Sequence, residues 1–332
     1  MVVSDTVDKR FIAPKTLIPA YFGVCMNKRV LILSSAYMCL DAYISALPGS
    51  SLEREGEDYI CAPGGKGITA ALTFRALGLD SIMCAAVGDD GFGRQIEKFL
   101  QRAGIDVRFL NQYKDTRTGL YLNLHESRDG RTLKFPQANA KLTKEDVEAA
   151  FMVYPDALYI QNELPFELSA YAVNVARNKG VPVFWQPCAL SARGEDILPG
   201  SLEAVIFDAD EVSSYCGVYP DSYDKFLPAA MALASRIRAK YYVIRLADRG
   251  TFIYDGLHHD MSGEYPSTYL DETGASVVYG AAFSAAYLKT DGSVKKAARC
   301  AAAAYAYSSS NRGDAASVPS VSDLVRFLKK DQ

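Results

Sequence analysis

Residues 64–104, "GGKGITAALTFRALGLDSIMCAAVGDDGFGRQIEKFLQRAG", alternate between two kinds of local order. Glycines at 64, 65 and 67 make a turn at which backbone can approach a ligand or a neighbouring strand closely. "GITAALTFRALG" then has helical spacing and closes at Gly78. "SIMCAAVG" reads as a buried strand, and "DGFGRQIEKFLQRAG" as an amphipathic helix closed by Gly104. Turn, helix, strand and helix in succession are the rhythm of an α/β protein.

The rhythm extends in both directions. "RVLILSSAYM" (29–38) is an apolar, β-branched strand candidate. "ALYIQ" precedes the helix pattern "PFELSAYAVNVARNKG", and "VPVFWQP" follows it. "AVIFDA" leads into "EVSSYCG", and "FLPAAMALASRIRAK" precedes "YYVIRLA". Repetition of this kind predicts a doubly wound, mostly parallel sheet with helices on both faces. Ligands of such sheets bind beyond the carboxyl ends of the strands.

Two stretches break the rhythm. "TGLYLNLHESRDGRTLKFPQ" alternates Leu120, Leu122 and Leu124 with Tyr121, Asn123 and His125, and Asp129-Gly130 predicts the hairpin turn. "DAYISALPG" to "EDYICAPGG" is similarly strand-like. Together they predict a small β-sheet lid, with strands from about 42–61 and 107–136, able to cover a cleft or form a dimer contact. The expected division is an N-terminal extension at 1–28, whose arm ends before Met26, an α/β domain at 29–318, and a C-terminal helix of the same domain at 319–332.

Composition narrows the classes. A chain of 332 residues can bury a large core in one or two domains. The net charge of -3, with both signs interspersed, points to neither nucleic acid nor an anionic membrane. No apolar run reaches the roughly 18–20 residues of a membrane span. "TLIPAYFGVCM" contains Pro19 and Gly23, follows Asp5 and Asp8, and makes a poor signal peptide. The seven cysteines form no CxxC pair and read as reduced thiols of a cytoplasmic protein.

Several motifs carry chemistry. "APGGKGITAAL" (62–72) sets glycines and Lys66 before a helix; the plainer reading is a glycine-rich turn with a solvated lysine. It lacks the Ser or Thr of a Walker A loop. "DETGASVVYGAAFSAAYL" (271–288) opens a helix as an anion cradle would, although small residues there also serve close helix packing. "DADEV" (208–212) offers carboxylates that could hold magnesium through water, or merely complement a helix dipole. His258-His259 reads as solvated surface.

In this order, the motifs resemble the ribokinase-like (PfkB) family of carbohydrate kinases. Gly64-Gly65-Lys66-Gly67 with "ALGLDSIMCAAVGDDGFG" is similar to its first signature, and "DETGASVVYGAAF" falls on its second. "QANAKLT", "QNELP" and "DADEVSSYCGV" are similar to segments between them. The resemblance implies a doubly wound domain with a lid, and ATP-dependent transfer of phosphate with Mg2+ to a hydroxyl of a sugar-like or nucleoside-like molecule. It implies an anion hole at Gly274, Ala275 and Ser276, and a substrate border at Gly64, Gly65, Lys66, Thr69, Glu163 and Cys39. It implies nucleotide contacts at Asp208, Arg245, Ala247 and Gly250, indirect magnesium organisation by Glu211, and a monovalent cation such as K+ near Asp271 and Thr273.

The departures gather at both ends of the reaction. The family's catalytic Asp falls on Val277, and the Gly before it on Ser276. The Asn ending the first signature falls on Thr69, and a sugar-gripping Asp on Cys39 if the spacing to Leu47-Pro48 is kept; Asp41 could meet the substrate in a shifted register. Asp208 stands for an Asn, and Arg245-Leu246-Ala247 for Thr-x-Gly. A general base contributes about 10²–10⁴-fold to rate, so the expectation is a weakened kinase or, alternatively, an inactive pseudokinase that binds or assembles. A homodimer through the lid strands is the expected assembly.

Overall fold

The computed structural model describes residues 28–45, 53, 55–126, 129–187 and 196–329. The arm at 1–25, Leu47-Pro48, Cys25 and Cys188 lie outside the described residues. In chain order the elements are β1 (Arg29–Leu33), β2 (Tyr37–Ile44), β3 (Asp58–Gly64), α1 (Lys66–Ala76), β4 (Asp80–Gly88), α2 (Gly91–Arg102) and β5 (Asp106–Tyr113). Next come β6 (Gly119–Glu126), β7 (Asp129–Phe135), α3 (Lys144–Phe151), β8 (Ala157–Ile160), α4 (Phe166–Asn178) and β9 (Val183–Trp185). Then follow β10 (Leu202–Asp208), α5 (Ala209–Cys216), α6 (Tyr223–Arg236), β11 (Ala239–Arg245), β12 (Thr251–Tyr254) and β13 (His259–Ser262). The helices α7 (Ala275–Lys289), α8 (Val294–Ser309) and α9 (Val321–Lys329) complete the series.

The large sheet runs β13-β12-β11-β10-β9-β8-β1-β4-β5, parallel except where β12 and β13 turn back at one edge. Strand alternation splits β1 between two apolar layers. Val30 and Ile32 join the cluster with α1, α7 and α8, whereas Leu31 and Leu33 join the one with α3 to α6. Burial on both faces explains the unbroken apolar run read in the sequence. Gly67 is required by close packing: a Cβ there would strike the Ser35 carbonyl, with Met83 Cε at 2.7 Å.

The small sheet runs β3-β2-β6-β7, with β2 parallel to β6 and both outer pairs antiparallel. Two expectations need correction here. The strand at 106–113 pairs in parallel with β4 at the edge of the large sheet and lies beside α2 and α3, so the second lid segment starts at Gly119 and not at 107. The first lid segment extends from Tyr37 to Gly64. Glu126 faces Asp129 and His125 faces Gly130 in register, so Asp129-Gly130 opens β7 instead of forming the turn. Among the described residues, no helix is long and apolar enough to cross a membrane.

Candidate active site

The small sheet turns one face toward the carboxyl ends of the large sheet. Alternation puts Cys39 and Asp41 on that face with their cross-strand partners Tyr121 and Asn123. Tyr37 stacks on Tyr121 with ring centroids 4.1 Å apart. Beneath them, just beyond β8, lies the buried Glu163. Its Oε2 accepts hydrogen bonds from Ser35 Oγ at 2.6 Å and Tyr121 OH at 2.8 Å. Its Oε1 lies 2.9 Å from Lys134 Nζ of the lid and 3.4 Å from Lys66 Nζ of α1. Burial pushes this carboxyl up, but the two ammonium charges and the hydrogen bonds outweigh it and hold Glu163 below the usual carboxylate value. Lys66 is thus paired with Glu163 while its side chain stays 31% exposed.

Asp41 is committed within the lid: its Oδ1 accepts from Asn123 Nδ2 at 2.9 Å and lies 2.9 Å from His125 Nε2. Cys39 is buried, and a Cβ on Gly64 would lie 2.8 Å from its sulfur. Burial pushes its thiol well above the ordinary range, so it remains neutral.

The opposite wall is the start of α7. Gly274 is its N-cap in the left-handed conformation, φ 77°. Ala275 donates its amide to the Glu272 carbonyl at 3.1 Å. The amides of Ser276 and Val277 find no acceptor among the described residues, which is the open fork that an anion uses. The Val277 side chain, 4 % exposed, packs in the apolar cluster between α1 and α8. Asp271 spends its carboxylate on backbone, accepting the Thr273 and Gly313 amides at 2.9 Å each.

Between the two walls stands a residue that the motifs did not reveal, Asp314. Its Oδ2 accepts the Gly65 amide at 3.1 Å, and its Oδ1 accepts from Thr69 Oγ1. A Cβ on Gly274 would collide with Oδ1, so glycine is needed there for space as well as for φ. A faint signal existed: Gly313-Asp314 ends a stretch without acids that starts after Asp291. Tyr121, Lys134 and Ser35 were missed as well, because only the docking of the lid brings them to Glu163.

The expected nucleotide residues form a closed network. Asp208 Oδ2 accepts from Ser276 Oγ at 2.5 Å, and Oδ1 lies 2.6 Å from Arg245 Nε. The Arg245 guanidinium lies 4.0 Å from the Tyr305 ring centroid, and Tyr305 OH donates to Glu272 at 2.6 Å. The cavity beside Arg245, bounded by Tyr279 and Tyr305, measures about 10 Å³, room for a single water. Glu211 folds back in a capping box, its Oε2 accepting the Asp208 amide at 3.0 Å. Ala247 has φ 52°, and Gly250 closes the same turn by accepting the Leu246 amide at 2.7 Å. Among the described residues, no group of three or more His, Cys, Asp or Glu side chains is arranged to hold a metal.

A glycine turn, a helix N-terminus with two amides unpaired among the described residues and a small lid sheet come together at the carboxyl edge of a doubly wound sheet. The chain belongs to the pfkB family of carbohydrate kinases, whose profile matches residues 27–321. It is similar to the ribokinase of Haemophilus influenzae, 24% identical over 285 residues, covering 85% of this chain and 92% of that one. It is also similar to the deoxyribokinase of Salmonella typhi, 21% identical over 311 residues, covering 91% and 99%. The Arabidopsis thaliana ribokinase complexed with ribose and ATP shares the fold, with TM-score 0.82 at 20% identity, covering 92% of this chain and 99% of that one.

Proposed function

We propose that the protein transfers the terminal phosphoryl group of a nucleoside triphosphate to a hydroxyl of a sugar-like or nucleoside-like small molecule. One observation carries the reading. Asp314 touches both the Gly274 start of α7 and the Gly65–Thr69 segment at the start of α1, so the helix N-terminus and the glycine turn meet at one carboxylate. Phosphoryl transfer needs an anion site and an acceptor-hydroxyl site in such contact. Ser276 and Val277 amides would receive phosphate oxygens, and Glu163 with Lys66 would border the acceptor. Without a carboxylate at position 277, the step is expected to be slowed, by up to about 10²–10⁴-fold if nothing replaces it.

A second reading, a pseudokinase, is favoured by the Arg245–Tyr305 contact. It fills the space beside the expected nucleotide residues, and a nucleoside could enter only if both side chains turned aside. Measuring ADP release with Mg2+ and ATP against a panel of sugars and nucleosides separates the two. Sugar-dependent turnover supports the kinase, whereas ligand-induced thermal stabilisation without turnover supports the pseudokinase.

The assembly that goes with either reading is a homodimer through the outer face of the small sheet. Tyr59, Leu133 and Phe135 stand there, 63%, 52% and 42% exposed. Light scattering that returns a monomer mass at micromolar concentration would remove it.

A further inference from the structure

We infer that Asp314 is the catalytic base of this protein, supplied from the loop after α8 in place of the carboxylate absent at Val277. The inference rests on the proposed phosphoryl transfer.

Three observations carry it. First, Asp314 is the carboxylate in contact with both walls of the site. It touches Gly65 and Thr69 on the acceptor side and lies against Gly274 on the phosphate side. Second, its backbone is held for the task. Asp271 accepts the neighbouring Gly313 amide at 2.9 Å, and Ser317 Oγ donates to the Asp314 carbonyl at 3.0 Å. Third, the alternatives are spent: Asp41 is engaged by Asn123 and His125, Glu163 by two lysines, and Asp208 by Arg245.

The acceptor hydroxyl oxygen forms a bond to the terminal phosphorus of the nucleoside triphosphate. The bond from that phosphorus to the bridging oxygen breaks, and the nucleoside diphosphate departs with the electron pair. The hydroxyl proton passes to Asp314. Thr69, now donating to Oδ1, would turn its hydrogen elsewhere as the substrate hydroxyl takes its place.

The environment suits a base. Burial pushes the Asp314 carboxyl above the usual carboxylate value, against the pull of the Thr69 and Gly65 hydrogen bonds. The titratable groups facing it are Cys39 and Asp41 of β2 and Asp271 before α7; the two acids raise it further.

The test compares the wild type with Asp314→Asn and Asp314→Glu, using whichever sugar or nucleoside the wild type turns over. Asp314→Asn is expected to lower kcat by about 10²–10⁴-fold while KM and calorimetric sugar affinity stay within threefold; Asp314→Glu recovers part of the rate. The acid limb of the wild-type kcat profile should lie above the ordinary carboxylate value and vanish in Asp314→Asn. A readout independent of activity accompanies these. The carboxyl's raised value costs stability above its unfolded value of 3.8, so Asp314→Asn should melt higher at pH 7 and lose that advantage as pH falls toward 3.8. An active wild type whose kcat survives Asp314→Asn overturns the base alone. A wild type inactive on the whole panel overturns the proposed function and the base with it.

Discussion

Lys134 Nζ, on the last lid strand, lies 2.9 Å from Oε1 of Glu163, whose carboxylate is buried at the carboxyl end of β8. This contact ties the small sheet to the large one directly over the expected acceptor site. Replacing Lys134 by alanine leaves Glu163 with Lys66, Ser35 and Tyr121, and should cost about 1–2 kcal/mol, since the lysine side chain is itself about a third exposed. The sign with pH follows from the depressed Glu163 value. The stabilisation is present above the unfolded value of 4.5 and is lost as pH falls through and below it. Urea unfolding of the two proteins at pH 7 and pH 3.5 reads both effects. An equal gap at the two pH values would show that the pair contributes nothing electrostatic.

Arg245 on Tyr305 is the second latch. Arg245→Thr with Tyr305→Ala removes the stacked pair and enlarges the 10 Å³ cavity. The expected result is at least tenfold tighter Mg-ATP binding by calorimetry, equivalent to about 1.4 kcal/mol. Binding that weakens instead would identify Arg245 as a phosphate ligand, as arginines are elsewhere.

Val277→Asp puts a carboxyl where the family carries one. In this chain the position is enclosed by the apolar cluster of α1, α7 and α8. The variant should lose several kcal/mol of stability, on the order of 3 or more, without gaining rate. Denaturant midpoints and the ADP-release assay decide it; faster turnover at unchanged stability would mean that the side chain reaches the cleft.

Ala247 holds φ 52° in the turn after β11, a conformation that costs a non-glycine residue about 1–2 kcal/mol. Ala247→Gly should therefore stabilise the fold, by about 0.5–1 kcal/mol after glycine's entropy is counted. A drop in melting temperature would show that the strain is offset by contacts of the methyl group.

Much of this protein was legible before any coordinates. Strand and helix periodicity depend on neighbours in sequence, so the turn at 64–67, the strand at 80–88 and the helix at 275–289 fall where the residues put them. The lid was foreseen as a β-layer, but its edge was misplaced. The strand at 106–113 carries the same alternation whether it pairs with β4 or with β2, and only the crossover settles which.

The site divides along the same line. The family resemblance marks Val277, Thr69 and Ala247 as departures, because they stand within short local signatures. It gave no pointer to Asp314. Asp314 reaches Gly65, 249 residues away, because α8 packs along α7 and returns the chain to the start of that helix. Lys134 reaches Glu163 through the docking of a separate sheet. Contacts of this kind depend on packing between distant segments. A pattern of neighbours along the chain therefore marks valine at 277 as a departure from the family signature, and only the tertiary structure shows the Asp314 carboxylate against Gly274 at the start of the same helix.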